Sequence, residues 1–280
     1  MKSTITGEML RNFITYLREE EKCEATIEKY ARDTAQFSSW LSSNTLNKES
    51  VALWKKRLID DGASAATVNG KLCSLSAFFK FIGREDCRVR LLKVQRKVFR
   101  DECKELTRSE YEHLVQTAEA NGKHRLALIM ETICSSGIRV SEVRFITVEA
   151  VKSGIIEIRM KGKLRTILLP KKLRSKLLKY AKELGITCGS IFITRNGTPI
   201  SRRQIWGEMK SICKAARVDM RKVFPHNLRH LFAVEYYKVN RDIVKLADVL
   251  GHSSIETTRI YLITTGVEHQ KQIDSMRLVS

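Results

Sequence analysis

The chain has 280 residues, with 51 Lys plus Arg against 31 Asp plus Glu, a formal net charge of +20 and 43% hydrophobic residues. That apolar share excludes a disordered basic tail, and the length supports one large or two modest cores without disulfide or metal staples. So positive a field favours polyanionic partners, nucleic acid before membrane because no amphipathic anchor stands out.

The cysteines at 23, 73, 87, 103, 134, 188 and 213 make no C-x-x-C pair and no Cys/His cluster at zinc spacing, so reduced thiols and no metal are expected. No stretch approaches the roughly 18 uninterrupted apolar residues of a membrane span, and the first residues lack the charged-then-apolar pattern of a leader. A cytoplasmic protein is expected.

Apolar residues at helical spacing predict helices over 6–20, 24–43, 48–61 and 65–82, separated by Ser42, Ser43 and Asn44 and by Asp61 and Gly62. The segment 88–100 then carries Arg88, Arg90, Lys93, Arg96, Lys97 and Arg100 and no acidic residue, and reads as a strap between domains that can lie along phosphates. The expected organisation is a helical domain over 1–92, a basic linker over 93–104 and a second domain over 105–280, opened by a helix capped at Thr107 or Ser109.

In the second domain an apolar helix over 123–134 should stop at Gly137, and Ser141 with Glu142 should open the next turn. "GIIEIRMKGKLRTILLP" reads as a β-hairpin around "KGK", Leu173–Leu184 as a basic amphipathic helix and "SIFIT" as a further short strand, with helix from Gln204 onward. Lysines and arginines recur from 159 to 182 with no acidic residue between them, so Lys163 and Arg165 are expected on a DNA-facing surface with the strap residues. A helix over Asp242–Leu250 should end at Gly251, and Ser253 with Glu256 should form a capping box for the helix that carries Tyr261. The tail is expected to form a short helix over about 267–280 that docks on a neighbouring protomer.

Single residues carry little. Arg139 has an ordinary reading as a surface arginine, His226 with Arg229 on one helix face as structural residues, and Tyr261 as a core ring with its hydroxyl at water. Together and in order, "SSGIRVSEV", "KGK" in a hairpin, "HNLRH" and "LGHSSIETTRIYL" resemble the tyrosine recombinase family, also called phage integrases, from about residue 5 to about 265. The resemblance implies a mainly α fold with a small β-sheet: an N-terminal SAM-like four-helix core-binding domain and a mixed α/β catalytic domain of the DNA breaking-rejoining type.

It also implies a catalytic set of Arg139, Lys161, His226, Arg229, His252 and Tyr261, with Glu142 and His230 in support. Two guanidiniums suit the extra charge of a pentacoordinate phosphorane, Tyr261 would attack phosphorus, and Lys161, or Lys163 in its place, would protonate the departing 5′ oxygen. No cofactor, metal or ATP is implied. The implied partners are double-stranded DNA with inverted core sites and further copies of the chain, two on a site and four in the synapse. A type IB topoisomerase-like enzyme and a noncatalytic DNA-binding regulator are the alternatives.

Overall fold

The computed structural model describes residues 5–42, 45–94, 104–160, 163–252, 254–261 and 274–276. The chain divides into two compact units, Met1–Arg96 and Lys97–Ser280; the change of unit falls inside the basic segment.

The first unit is built from α1 (Gly7–Glu19), α2 (Glu24–Leu41), α3 (Lys48–Asp60) and α4 (Ala65–Phe81). Side chains of Thr6, Asn47 and Ser64 cap α1, α3 and α4, each accepting from a first-turn amide that would otherwise lack a partner. Their apolar stripes meet in a core of Phe13, Leu17, Phe37, Trp54, Leu72 and Phe78.

The start of the strap is not a free linker. Asn69 donates to Leu92 O at 2.9 Å and accepts from Leu92 N at 2.8 Å, and Lys55 Nζ donates to Arg90 O at 2.7 Å. With Val89 and Leu92 packed on the same core, residues 88–94 belong to the first unit. Arg90 and Lys93 point to solvent, whereas Arg88 pairs with Glu85 at 3.1 Å. Arg96 and Lys97 lie outside the described residues.

The second unit begins with α5 (Arg108–Ala120), capped by a reciprocal Thr107–Glu110 box, and α6 (His124–Ser136). After α6 come a 3-10 turn over Val140–Phe145, α7 (Val148–Ser153) and the antiparallel strands β1 (Ile155–Met160) and β2 (Lys163–Leu168), registered from Ile155↔Leu168 to Met160↔Lys163. Then follow α8 (Lys171–Glu183), α9 (Arg202–Ile212), α10 (Pro225–Asn240), α11 (Ile243–Leu250) and α12 (Ile255–Arg259). α6 is buried along most of its length, from Leu126 to Ser136, and packs against α5, α8, α9 and α10.

Three local expectations are corrected. "SIFIT" makes only the isolated bridges Thr147↔Ser190 and Ile193↔Pro199, because Ile191 and Phe192 are core plugs and Pro199 has no amide to extend a ladder. The stretch after Gln204 is interrupted beyond Ile212 by a turn with Arg217 in the left-handed region, φ 53°. The cap of α12 is Ser254, whose hydroxyl accepts from Glu256 N; Ser253 lies outside the described residues. The tail expectation also falls largely outside them, a helical turn at Asp274–Ser275 apart.

Gly137 ends α6 at φ 63°, and a Cβ there would sit 2.5 Å from the Phe232 ring. Gly137→Ala combines a left-handed penalty with that overlap, so it should lower unfolding free energy by about 1–3 kcal/mol. Urea unfolding measures this, and a change within error would contradict the packing described.

Candidate active site

Five of the six expected catalytic side chains line one cleft of about 310 Å³: Arg139, His226, Arg229, His252 and Tyr261. They come from the loop after α6, the first turns of α10, and the turn on either side of α12. Pro225 opens α10 where its missing amide costs nothing, which places His226 and Arg229 one helical turn apart on the cleft wall. Lys161, the sixth, lies outside the described residues.

The end of α11 organises the site. An α-helix leaves its last carbonyls without intrahelical donors. Here three consecutive ones are taken by arginines from three other places in the chain: Arg165 Nη2 donates to Val249 O at 2.9 Å, Arg229 Nη2 to Leu250 O at 2.7 Å and Arg139 Nη2 to Gly251 O at 3.2 Å. Arg229, 3% exposed, also donates through Nη1 to Gly137 O at the end of α6. Burial first, and then Arg139, push its pKa down, while its contact with the Tyr261 phenol opposes the shift.

Glu142 is the carboxylate among these cations. Its Oε1 accepts from Arg139 Nη1 at 3.0 Å, and its Oε2 accepts from both Arg139 N and Arg165 Nη1 at 2.8 Å. Arg165 does not stand on the surface expected of it: its side chain is 9% exposed and faces the interior. Burial drives its pKa down to about 10, with Glu142 opposing and Arg229 and Arg139 reinforcing that shift. Lys163 occupies the first position of β2; of its side chain the structure describes nothing.

Tyr261 is 3% exposed, with its ring parallel to His252 at 5.8 Å and tilted against His226 at 5.9 Å and His230 at 5.1 Å. His230 Nε2 lies 3.2 Å from Glu105 Oε1, close enough for an ion pair but off the direction of an aligned hydrogen bond. His226 stands at the surface of the cleft, where lost solvation, then His230 and Arg229, still lower its pKa.

His252 has a determined tautomer. Its Nε2 lies 2.9 Å from Arg229 Nη2, which can only donate, and its Nδ1 lies 2.8 Å from the hydroxyl of fully buried Thr258. The ring is therefore neutral, with its proton on Nδ1 and donated to Thr258. Burial, then Arg229, Arg139 and Arg165, push its pKa down to about 4.

Thr258 and the inward role of Arg165 are what sequence reading missed. Thr258 lies six residues after His252 on the short helix α12, a spacing that carries no known signal by itself. Arg165 had one: it alternates with the buried Ile167 and pairs across the hairpin with the buried Ile158.

A buried phenol among guanidiniums and imidazoles is equipped to take a phosphoryl group onto its oxygen, the cations holding the charge and the imidazoles the proton. Comparisons with known proteins agree. Residues 104–265 match the phage integrase family and residues 10–86 the phage integrase N-terminal SAM-like domain. Tyrosine recombinase XerA of Thermococcus kodakarensis is 31% identical over 273 residues, covering 95% of this chain and 94% of that protein. Tyrosine recombinase XerA of Pyrococcus furiosus is 29% identical, covering 99% and 97%. A lambda integrase tetramer bound to a Holliday junction shares the fold with a TM-score of 0.74 at 20% identity, covering 93% of this chain and 78% of that one. The chain belongs to the phage integrase family, the tyrosine recombinases, which are site-specific DNA strand-transfer enzymes.

The His252 assignment is testable by ¹⁵N NMR of the imidazoles. At pH 6 Nδ1 should show the shift of a protonated nitrogen and Nε2 that of a bare one, with protonation delayed to about pH 4. Because the folded pKa lies below the unfolded one, the unfolded chain takes up the proton first; the contribution to stability is full above about pH 6.5 and declines as pH falls toward 4. A His252 titrating near 6.5 in the folded protein would contradict the site described.

Proposed function

We propose that the protein cuts and rejoins duplex DNA at specific sites through a 3′-phosphotyrosyl intermediate formed on Tyr261. The observation that carries this reading is the convergence of Tyr261, Arg139, Arg229, His226 and His252 on one cleft from distant parts of the chain. The Tyr261 oxygen forms a bond to phosphorus as the bond to the 5′ oxygen breaks. His226 receives the phenolic proton, and Lys161, or Lys163 in its place, gives a proton to the departing 5′ oxygen, which leaves as a hydroxyl. Arg139 and Arg229 hold the nonbridging oxygens, where charge builds in the transition state. Attack by a 5′ hydroxyl of a partner duplex reverses the step and exchanges strands without an external energy source.

His252 changes partner in this scheme. A phosphate oxygen takes the N–H of Arg229 that now points at His252 Nε2. The arriving negative charge opposes the cations that keep the imidazole neutral, so Nε2 can carry a proton and donate to the phosphorane. The resting hydrogen bonds fit that exchange, because Nδ1 stays fixed on Thr258 throughout.

The partners that follow are double-stranded DNA with inverted core sites, a second copy of the chain on each site and a four-copy synapse. The exposed Arg90 and Lys93 of the first unit suit contact with phosphates; Arg88, Arg96 and Lys97, their neighbours in sequence, add charge of the same sign to this reading. The domain limits of this reading are 1–92, 93–104 and 105–280, with residues 93 and 94 carried on the first unit, and the tail over 267–280 serves contact between protomers. Such an enzyme works with the chromosome, in the cytoplasm beside the nucleoid; among the described residues no helix is long and apolar enough to cross a membrane.

A nicked suicide duplex, which loses its short 5′-hydroxyl fragment on cleavage, should trap the protein as a covalent adduct. Tyr261→Phe should form none while still binding the duplex. An adduct on the Phe variant would assign the nucleophile elsewhere, and no adduct on the unaltered protein would favour a noncatalytic DNA binder. Binding should weaken about 10³-fold or more between 50 and 200 mM salt if many phosphates are neutralised; a flat titration would remove the electrostatic account of affinity.

A further inference from the structure

Arg165 is the cation of the cluster that the proposed reaction leaves without a task. It is 9% exposed against 40% for Arg139, so it is not placed to meet a phosphate. Its Nε has no hydrogen-bond partner among the described residues although it is buried, an arrangement that costs stability and persists where the rest of the contact demands it. The contact is tight: a Cβ on Gly251 would lie 2.4 Å from Arg165 Cδ and 2.6 Å from Nε, so the guanidinium passes directly over the residue whose carbonyl holds Arg139.

The hydrogen bonds show what it does there. Glu142 is a buried carboxylate with two oxygens, and a planar guanidinium on its own prefers to engage both in a two-toothed pair. Arg165 Nη1 occupies Oε2 together with the backbone amide of Arg139, which leaves only Oε1 for the Arg139 guanidinium, through Nη1. Arg139 is thereby held at one corner, with its remaining donors uncommitted to the carboxylate. Arg165 Nη2 also grips Val249 O, at the same helix end as the Gly251 carbonyl that steadies Arg139 Nη2.

We propose that Arg165 is a positioning residue for Arg139: by taking one oxygen of Glu142 and bracing the end of α11, it keeps the Arg139 guanidinium directed at the nonbridging oxygens of the scissile phosphate. Without it, Glu142 draws Arg139 into a two-toothed pair and away from the phosphate. The inference rests on the cleavage reaction proposed above.

The test compares two substrates on which the demand for Arg139 differs. A suicide duplex with the ordinary scissile phosphodiester carries the charge that a guanidinium must meet; one with a methylphosphonate there lacks a charged nonbridging oxygen and needs that guanidinium less. Arg165→Met should lower the rate of adduct formation on the phosphodiester by about 10- to 100-fold. On the methylphosphonate most of that loss should disappear, with duplex binding unchanged in a gel shift. Arg165→Lys keeps a cation for Glu142 but cannot span both Glu142 and Val249, so it should fall between the two and supply the comparison should the Met variant fold poorly. Arg139→Ala should show the same substrate pattern, and adding Arg165→Met to it should cost little more, since the second residue acts through the first.

Equal loss on both substrates overturns the proposal in favour of a general structural role. Loss of binding in parallel with cleavage makes Arg165 a DNA contact, and an unaffected rate on the phosphodiester removes any role in positioning. No adduct with the unaltered protein on the phosphodiester overturns the cleavage reading itself, and the inference with it.

Discussion

Everything in the second unit that bears on chemistry depends on how three guanidiniums are kept side by side in a partly buried pocket. Like charges so placed repel, and burial adds a solvation penalty to each. What offsets this is specific. Glu142 supplies one full negative charge, and the ends of α6 and α11 supply roughly half a charge each through carbonyls aimed at the arginines. Against three cations this leaves about one positive charge, the complement of a single phosphodiester. The balance suits the anion of the proposed reaction, and it is built from backbone as much as from side chains.

That dependence explains why the glycines at the two helix ends matter. Gly137 and Gly251 let α6 and α11 stop in the left-handed conformation, which turns their final carbonyls outward. Each also clears space: Gly137 for Phe232, which packs beneath α11, and Gly251 for Arg165. One residue type thus ends a helix, presents an acceptor and admits a neighbour at the same place. The packing of α10 against α6 and α11 then fixes where Arg229 and His226 stand relative to Arg139, so the geometry of the cleft is a consequence of the core.

The helices of the first unit were legible to within a residue or two, because amphipathic spacing and Ser, Thr or Asn caps coincide there with nothing to compete. The hairpin is legible from its alternation, and the cleft from the ordered motifs that hold Arg139, His226, Arg229, His252 and Tyr261. What escaped depends on contacts between segments far apart in the chain. "SIFIT" has the composition of a strand, but its apolar residues serve as plugs in a helical core, a tertiary decision that composition does not carry. The strap looked free because its charge is high; Asn69, twenty-three residues upstream, pins it. The charge of Arg165 suggests the surface, while its register with Ile167 and Ile158 puts it on the buried face. Alternation outweighs charge when a carboxylate such as Glu142 waits inside.

The same network bears on how the resting site differs from the working one. In the cleft, Arg229 spends an N–H on His252, and His252 is held as a neutral acceptor by that bond on one nitrogen and Thr258 on the other. In the proposed reaction a phosphate therefore need not rebuild the pocket. It has only to take over one N–H of a guanidinium already fixed by Gly137 O and Leu250 O, and the imidazole released stays anchored through Nδ1. The reorganisation is confined to a proton and one hydrogen bond, which keeps most of the arginine geometry prepared before DNA arrives, the condition under which fixed dipoles and charges lower a barrier rather than follow it. Tyr261, its ring parallel to that same imidazole, is next to the group proposed to change charge state when the anion binds. Occupancy of the proposed phosphate site and the environment of the proposed nucleophile are thus linked through a single ring.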